Sequence, residues 1–343
     1  MNYIKSKDVG YDKSYVFSVP LTQEVIDHLD AVKTELKKQP GILNVSASDA
    51  YDISNISSST SDLYWPGKPE KNNLIITQVT IDKDFIPAMK IPFIEGNNFS
   101  GMPSDSAHYI LNETAVKEMG LKAPYVGQDI GFHSWRGTII GVVKDFNFKS
   151  LKEKISPLLF FSRWKGNILY VRTSPNKERQ AIASAEREYK KYAGDNPFKY
   201  SFLDKSFEEQ YKSDQRAGTL FNVFAGIAIF ISCLGLFGLT SFVAERRVKE
   251  IGIRKVLGAS VANIWQLLSK DFVLLVVISC LIAIPIAYYY MHEWLQKYDY
   301  RTSISWWVFA AAGVGALIIT LITVIFQAIR AAIANPVKTL RTE

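Results

Sequence analysis

Three stretches of this chain, 219–244, 272–292 and 302–329, contain no Lys, Arg, Asp or Glu, and they limit what it can become more than any other feature. Each is about 20 residues or longer, enough at about 1.5 Å per helical residue to cross a hydrocarbon layer of about 30 Å. They are apolar all round, whereas a helix on the edge of a soluble core keeps a polar stripe. Membrane-spanning helices are therefore expected at all three. Aromatic residues gather where the interfaces should lie: Tyr288, Tyr289, Tyr290 and Trp294 after one stretch, Trp306 and Trp307 at the start of the next. Residues 1–218 are polar and mixed in charge, so composition shifts abruptly near Gly218.

The loops set an orientation. Arg246, Arg247, Lys249, Arg254, Lys255 and Lys270 crowd the segment 245–270, while the next loop offers only Lys297 and Arg301. Basic loops are retained in the cytoplasm, which puts 245–270 and the tail 330–343, with Arg330, Lys338 and Arg341, inside and residues 1–218 outside. Much of the net charge of +7 thus sits at membrane boundaries, which argues against nucleic-acid binding. A large exterior domain needs something to carry it across, yet Met1 to Tyr15 holds no apolar segment; a preceding span is expected. Cys233 and Cys280 both fall within expected spans, so no disulfide framework is expected outside.

The exterior region reads as alternating strands and helices. Tyr15 to Val19 is β-rich, Thr22 to Lys38 carries Val25, Ile26, Leu29, Val32 and Leu36 at helical spacing, and Pro40-Gly41 stops it before the strand Ile42 to Ala47. Ser54 to Asp62 reads as a loop, Leu74 to Ile81 as an apolar run, Asp84 to Met89 as helix. Further strands are expected at Ala107–Leu111, Gly137–Val143, Ile168–Arg172 and near Tyr200–Leu203, with helices at Glu113–Met119 and Asn176–Tyr192. The fold class is thus an α+β extracytoplasmic domain (1–203) of two subdomains, its first and last β-α-β pieces pairing into one sheet, followed by an all-α transmembrane domain (219–329) of three helices. Between them, 204–218 has no breaker before Gly218 and carries Phe207 and Tyr211 at i, i+4, so it reads as a continuous stalk helix that either transmits displacement or merely positions the domain.

One segment is more specific. Glu245-Arg246-Arg247-Val248-Lys249-Glu250-Ile251-Gly252-Ile253-Arg254-Lys255-Val256-Leu257-Gly258-Ala259-Ser260 resembles the loop between the second and third spans of the MacB/FtsX-type ABC transporter permeases. Asn2-Tyr3-Ile4 with Lys7 to Lys13, Ile110 to Ala115, Gly141 to Phe146, and Asn335-Pro336-Val337-Lys338 extend the resemblance over nearly the whole chain. It implies a non-catalytic permease subunit of the bacterial inner membrane, lacking the family's first span or forming the carboxyl-terminal half of a two-module permease. It also implies ATPase-coupling residues among Glu245, Arg246, Arg247, Glu250, Ile251, Gly252, Arg254, Lys255, Leu257 and Gly258. The implied partners are an ATP-binding cassette ATPase subunit, the lipid bilayer, a second permease module or homodimer partner, and a periplasmic adaptor or cargo. From Ile253, apolar residues at Leu257, Val261, Ile264 and Leu268 give this docking role a physical basis, a face suited to a groove or a membrane.

The chemistry that is missing points the same way. Gly96 to Gly101 has the glycine spacing of a phosphate-binding loop, but Met102 stands where Lys is required. The histidines at 28, 108, 133 and 292 are scattered, and no G-x-S-x-G nucleophile motif occurs, so neither cofactor, metal nor catalysis is expected. The spans hold no interior ionisable residue of the kind ion-driven transport requires, so energy is expected from a separate ATPase. Three functions compete: export or extrusion of a drug, peptide or lipoprotein cargo; FtsX-like regulation of a periplasmic cell-wall hydrolase without transport; and an anchored binding module needing no ATPase.

Overall fold

The structure is a computed structural model that describes residues 8–70, 72–151, 153–163, 165–296 and 304–333. It divides into two units, Met1–Ser213 and Asp214–Glu343.

In the first unit β1 (Val16–Pro20), α1 (Gln23–Asp27), α2 (Leu29–Lys37) and β2 (Ile42–Ser48) open the chain. Then come β3 (Ser59–Thr60), β4 (Leu63–Tyr64), β5 (Ile76–Thr80), α3 (Phe85–Met89), β6 (Phe93–Gly96), a 3-10 turn (Pro103–Ala107), β7 (His108–Asn112) and α4 (Glu113–Glu118). The unit ends with β8 (Asp129–Phe132), β9 (Trp135–Val143), β10 (Leu158–Phe161), β11 (Ile168–Thr173), α5 (Glu178–Lys190), β12 (Ser201–Phe202) and α6 (Leu203–Gln210). A small antiparallel sheet has the order β12-β1-β11-β2, so the first and last pieces do share one sheet. A larger mixed sheet runs β3-β5-β10-β7-β9-β8-β4, with β6 added on β9.

Side-chain alternation along these strands builds the layers. On β11, Ile168 and Tyr170 point to one core while Leu169 and Val171 point to another. On β10, Leu158 and Phe160 face the first of these, and Leu159 and Phe161 face a third. The small sheet is covered on its outer side by Val25, Leu29, Val32 and Leu36 of α1 and α2 and by Ala181 and Ala185 of α5. Its inner side shares one core with the large sheet, where Val16, Ile168 and Tyr170 meet Val79, Ile110, Val143 and Phe160, and Phe85 of α3 sets its ring edge-on to Tyr170 at 5.5 Å. Each such buried side chain contributes about 1.5–3 kcal/mol, so this shared layer is a large part of what fixes the two subdomains to one another. A backbone bridge between Ser48 and Ile81 continues the seam.

Three expected elements of this unit take a different form, and β4, β6, β8 and β10 are strands beyond those expected. The helix expected over Thr22–Lys38 is two, broken at His28 (φ −107°, ψ 17°), whose ring stacks on Tyr192 at 4.5 Å. The expected loop 54–62 contains β3, paired with β5. The stalk is not continuous, because α6 ends at Gln210 and Tyr211 (φ −102°, ψ 1°) interrupts it before the next helix begins at Lys212.

The second unit is helical: α7 (Lys212–Arg246), α8 (Val248–Val256), α9 (Val261–Gln296) and α10 (Trp306–Ile333). Three segments, Gln215–Arg246, Ser269–Gln296 and Trp306–Phe326, are long and apolar enough to cross a membrane. Large side chains such as Phe221, Leu281 and Trp306 stand exposed on them, the arrangement that lipid as solvent favours. Polar groups close on their own helix: the Thr240 hydroxyl donates to Leu236 C=O at 2.8 Å and the Thr320 hydroxyl to Ala316 C=O at 2.8 Å. Where α9 and α10 pack, a Cβ added at Gly313 would lie 3.9 Å from Cys280 Sγ, an ordinary contact distance. The tail 334–343, the loop 297–303 and the start 1–7, with the motif residues, Lys297, Arg301, Lys338 and Arg341 that they hold, lie outside the described residues.

Candidate functional site

The segment from Glu245 to Gly258 is a short helix set between two long ones. Val248 to Val256 form α8, and its end is written in the sequence: Gly258 stands at φ +86°, a left-handed conformation that costs glycine little. The Ala259 N–H then donates to Arg254 C=O at 2.9 Å, the long-range bond that closes a Schellman-type helix end. Ser260 immediately caps α9, its hydroxyl accepting from the Asn263 N–H at 3.3 Å. The apolar stripe expected from Ile253 to Leu268 is therefore split between two helices, since α8 ends before Gly258 and α9 begins at Val261. Side chains of Val261, Ile264 and Leu268 lie outside what is described.

Two faces of α8 differ sharply. Ile251 is 3 % exposed and packs in a cluster with Phe272 of α9 and Val324 of α10, flanked by Leu236 and Val243 of α7 and by Trp265. Gly252 beside it is buried. Ile253 is 54 % and Leu257 80 % exposed, four residues apart, and exposed Arg254 lies between them in sequence. The buried side is therefore an anchor in the helical unit, and the exposed side is an apolar and cationic surface. Arg254 bonds Glu250 at 2.7 Å along the helix, and Arg247 reaches Asp271 of α9 at 3.0 Å, fixing how α8 departs from α9. The Arg246 guanidinium lies 4.8 Å from the Phe242 ring, while Glu245 is exposed. Lys255 is a residue of α8 whose side chain is outside the described set.

Phe207 and Tyr211 belong to the first unit. Both are buried, at 2 % and 3 % exposure, with ring centroids 5.4 Å apart. The Tyr211 hydroxyl accepts the Leu151 N–H at 2.9 Å, and Lys13 places its ammonium 3.6 Å from the Phe207 ring centroid. Sequence spacing marked these two rings as a packing stripe but held no signal for their partners, which lie about 60 and 200 residues away in the chain.

The described motif residues of the first unit, in 8–13, 110–115 and 141–146, converge and build it. Asp145 accepts from Asn112 Nδ2 at 2.7 Å, the Thr114 N–H at 3.0 Å and the Thr114 hydroxyl at 2.6 Å, and its own N–H donates to Glu113 at 2.9 Å. Asn112 caps α4 through the Ala115 N–H at 3.0 Å and also accepts the Leu158 N–H at 2.8 Å. Gly10 (φ +84°) lies where an added Cβ would come within 2.9 Å of the Asp145 carbonyl. Gly96 and Gly101, which mimic a phosphate-loop spacing, are taken up by the fold: Gly96 ends β6 opposite Gly141, and the Gly101 N–H donates to Asp105 at 2.6 Å.

Sequence reasoning missed a buried clasp. Arg172, 5 % exposed at the end of β11, donates to the Ala88 and Asp12 carbonyls, to Ser14 C=O at 3.0 Å and to the Asp12 carboxylate at 3.1 Å. Burial alone would raise the Asp12 pKa, but Lys90, the Ser14 amide and Arg172 outweigh it and hold the group below the usual carboxylate range. A cation closing an otherwise apolar strand run was the available signal. Among the described residues no group of three His, Cys, Asp or Glu side chains could hold a metal ion.

Residues 222–336 match the family model described as FtsX-like permease C-terminal. Among solved structures, the periplasmic region of MacB from Actinobacillus actinomycetemcomitans is 14% identical, with 61% of this chain and 98% of that one covered and a TM-score of 0.42. The extracellular domain of the noncanonic ABC-type transporter YknZ from Gram-positive bacteria is 16% identical, with coverage of 54% and 96% and a TM-score of 0.38. No curated protein matches.

Proposed function

We propose that this chain, whose residues 222–336 match the FtsX-like permease model, is the membrane subunit of an ATP-driven transporter of the MacB/FtsX type, with α8 as the surface on which a separate cytoplasmic ATPase bears. The observation that carries this reading is the division of α8 into an anchored and an exposed face: Ile251 is seated among Phe272 and Val324, while Ile253 and Leu257 stand free. A force applied to the exposed face reaches α9 and α10 through one buried side chain, without requiring α8 to unfold. The basic residues of 245–270 favour a cytoplasmic position for this loop, with residues 1–218 on the periplasmic side of a bacterial inner membrane. ATP hydrolysis then belongs to the partner, and the exterior unit handles a cargo of the drug, peptide or lipoprotein class.

The test is co-purification from membranes solubilised in mild detergent. Recovery of a nucleotide-binding subunit with the wild-type chain, and its loss when Arg254, Lys255 and Leu257 are changed to Ala, is the expected result. A correctly inserted chain that brings down no ATPase sinks the reading and favours an anchored binding module. An ATPase whose turnover alters a bound hydrolase, and not the location of any cargo, would replace export by regulation.

A further inference from the structure

The interruption between α6 and α7 has no cause in the local sequence. From Leu203 to Ala217 there is neither Gly nor Pro, and Glu208, Glu209, Gln210 and Lys212 are all strong helix formers. Local preference over these residues is for one uninterrupted helix. Instead Tyr211 sits at φ −102°, ψ 1°, and its N–H donates to the Glu208 C=O at 3.1 Å, three residues back and not four. A single tightened turn inside a helical run is the mark of a hinge or of a sequence held against its own preference.

The hold is tertiary, and it stops at this residue. The Tyr211 hydroxyl accepts the Leu151 N–H at 2.9 Å, and its ring, 3 % exposed, lies beside that of Phe207 with centroids 5.4 Å apart. Both rings belong to the core that the two sheets share, and the Lys13 ammonium stands 3.6 Å from the Phe207 centroid. The lead-in at Lys13, the loop at Leu151 and α6 are thereby tied together. From Lys212 to Leu220, by contrast, the described side chains are all exposed, and Lys212 pairs only with exposed Glu209, at 2.7 Å along the helix. Helical preference on one side of Tyr211 and buried contacts on the other pull its backbone towards different conformations. Such a conflict between local and tertiary preference leaves two arrangements close in free energy, which is the condition for a bistable element.

We propose that residues 208–213 form a two-state joint. In the latched state Tyr211 holds the Leu151 N–H and the helix is interrupted; in the released state that bond is broken, the Tyr211 N–H takes the α-helical acceptor four residues back, the Phe207 C=O, and α6 and α7 run as one helix. Tyr211 is the positioning residue of the joint. The inference requires no ATPase, so its failure leaves the coupling role of α8 standing, and loss of that role leaves the joint intact.

The test is electron–electron double resonance on the full chain in lipid nanodiscs, with Cys233 and Cys280 replaced by Ala and spin labels at exposed Lys205 and Phe221. A continuous helix separates these positions by about 24 Å of rise. Tyr211→Phe keeps the ring and deletes the bond to Leu151, so the population at the continuous-helix distance should grow about tenfold relative to the latched one. Lys212→Gly acts in the opposite sense. Glycine costs little at the end of a helix but disfavours the middle of a continuous one by about threefold to fivefold, so Y211F/K212G should fall back towards the wild-type distribution. Thermal unfolding of each variant separates a shifted joint from lost folding. A distribution that is the same in wild type and Y211F overturns the proposal, as does Y211F that speeds exchange at Leu151 without changing the distance, because the bond is then a packing tie alone. Y211F/K212G that keeps the Y211F distribution, or Y211F that only broadens it with no population near the helical distance, also overturns it, since the released state would then be loose chain and not helix.

Discussion

Single atoms do much of the work in the exterior unit, and Tyr211 is the sharpest case. Its hydroxyl is the acceptor for the Leu151 N–H in a buried setting, so Tyr211→Phe removes one oxygen and strands a donor. A buried unsatisfied amide costs about 1–3 kcal/mol, and hydrogen exchange at Leu151 should quicken roughly tenfold or more while distant amides keep their rates. Unchanged exchange there would remove Tyr211 as a tie between α6 and the 150s loop. Asp12 offers a test by pH. Its pKa is depressed in the fold, so the stability it contributes is complete above the ordinary carboxylate value, about 4, and is lost as pH falls through the lower folded value. Asp12→Asn should therefore speed exchange in β1 and β11 at pH 6, after correction for intrinsic rates, and the gap from wild type should close as acid is added below about pH 4. A gap that widens in acid would reverse the assigned sign.

At the scale of elements, α8 joins opposite demands on apolar residues of one type. Ile251→Ala opens a cavity in its cluster and should cost about 2–5 kcal/mol locally, whereas Leu257→Ala, at an exposed position, should cost the fold little. On the proposed function the two separate in a second way: Ile251→Ala retains an ATPase partner but loses the ATP-driven response, and Leu257→Ala loses the partner. Both apolar side chains look alike in sequence, which is why the segment was legible and its two faces were not. The same reasoning sorts the rest. Long spans need no periodicity to be seen, and the helix end at Gly258 followed by the Ser260 cap is present as residue types although an apolar spacing runs through it. The break at His28 carries no such residue, and its ring stacks on a tyrosine more than 160 residues away. Leu158 to Phe161, buried on both faces of its sheet, forms an apolar run of four with no alternation, too short to distinguish strand from helix. Strands of two residues, β3 and β4, exist only through their pairing.

For the whole molecule the decisive quantity is which side of the membrane each unit occupies. With Cys233 and Cys280 replaced by Ala, a cysteine at exposed Tyr64 should react with a membrane-impermeant maleimide in spheroplasts, and one at Leu257 only after permeabilisation. The opposite pattern would invert the charge argument and place α8 out of reach of any cytoplasmic ATPase. The shared core of the exterior unit also limits how it can move: Val16, Ile168 and Tyr170 from one sheet cannot separate from Val79, Ile110 and Phe160 of the other without exposing that core to water. Displacement should carry both sheets together, as a lever and not as a pair of jaws.

The seat of Ile251 has a consequence for exchange of parts between related chains. A transplant of 245–258 from another permease would bring a foreign key into a lock still cut by Phe272 and Val324, residues that lie 21 and 73 positions further along the chain. Loop and lock must drift together, so the interchangeable module is not the loop alone but the loop together with the spans that seat Ile251.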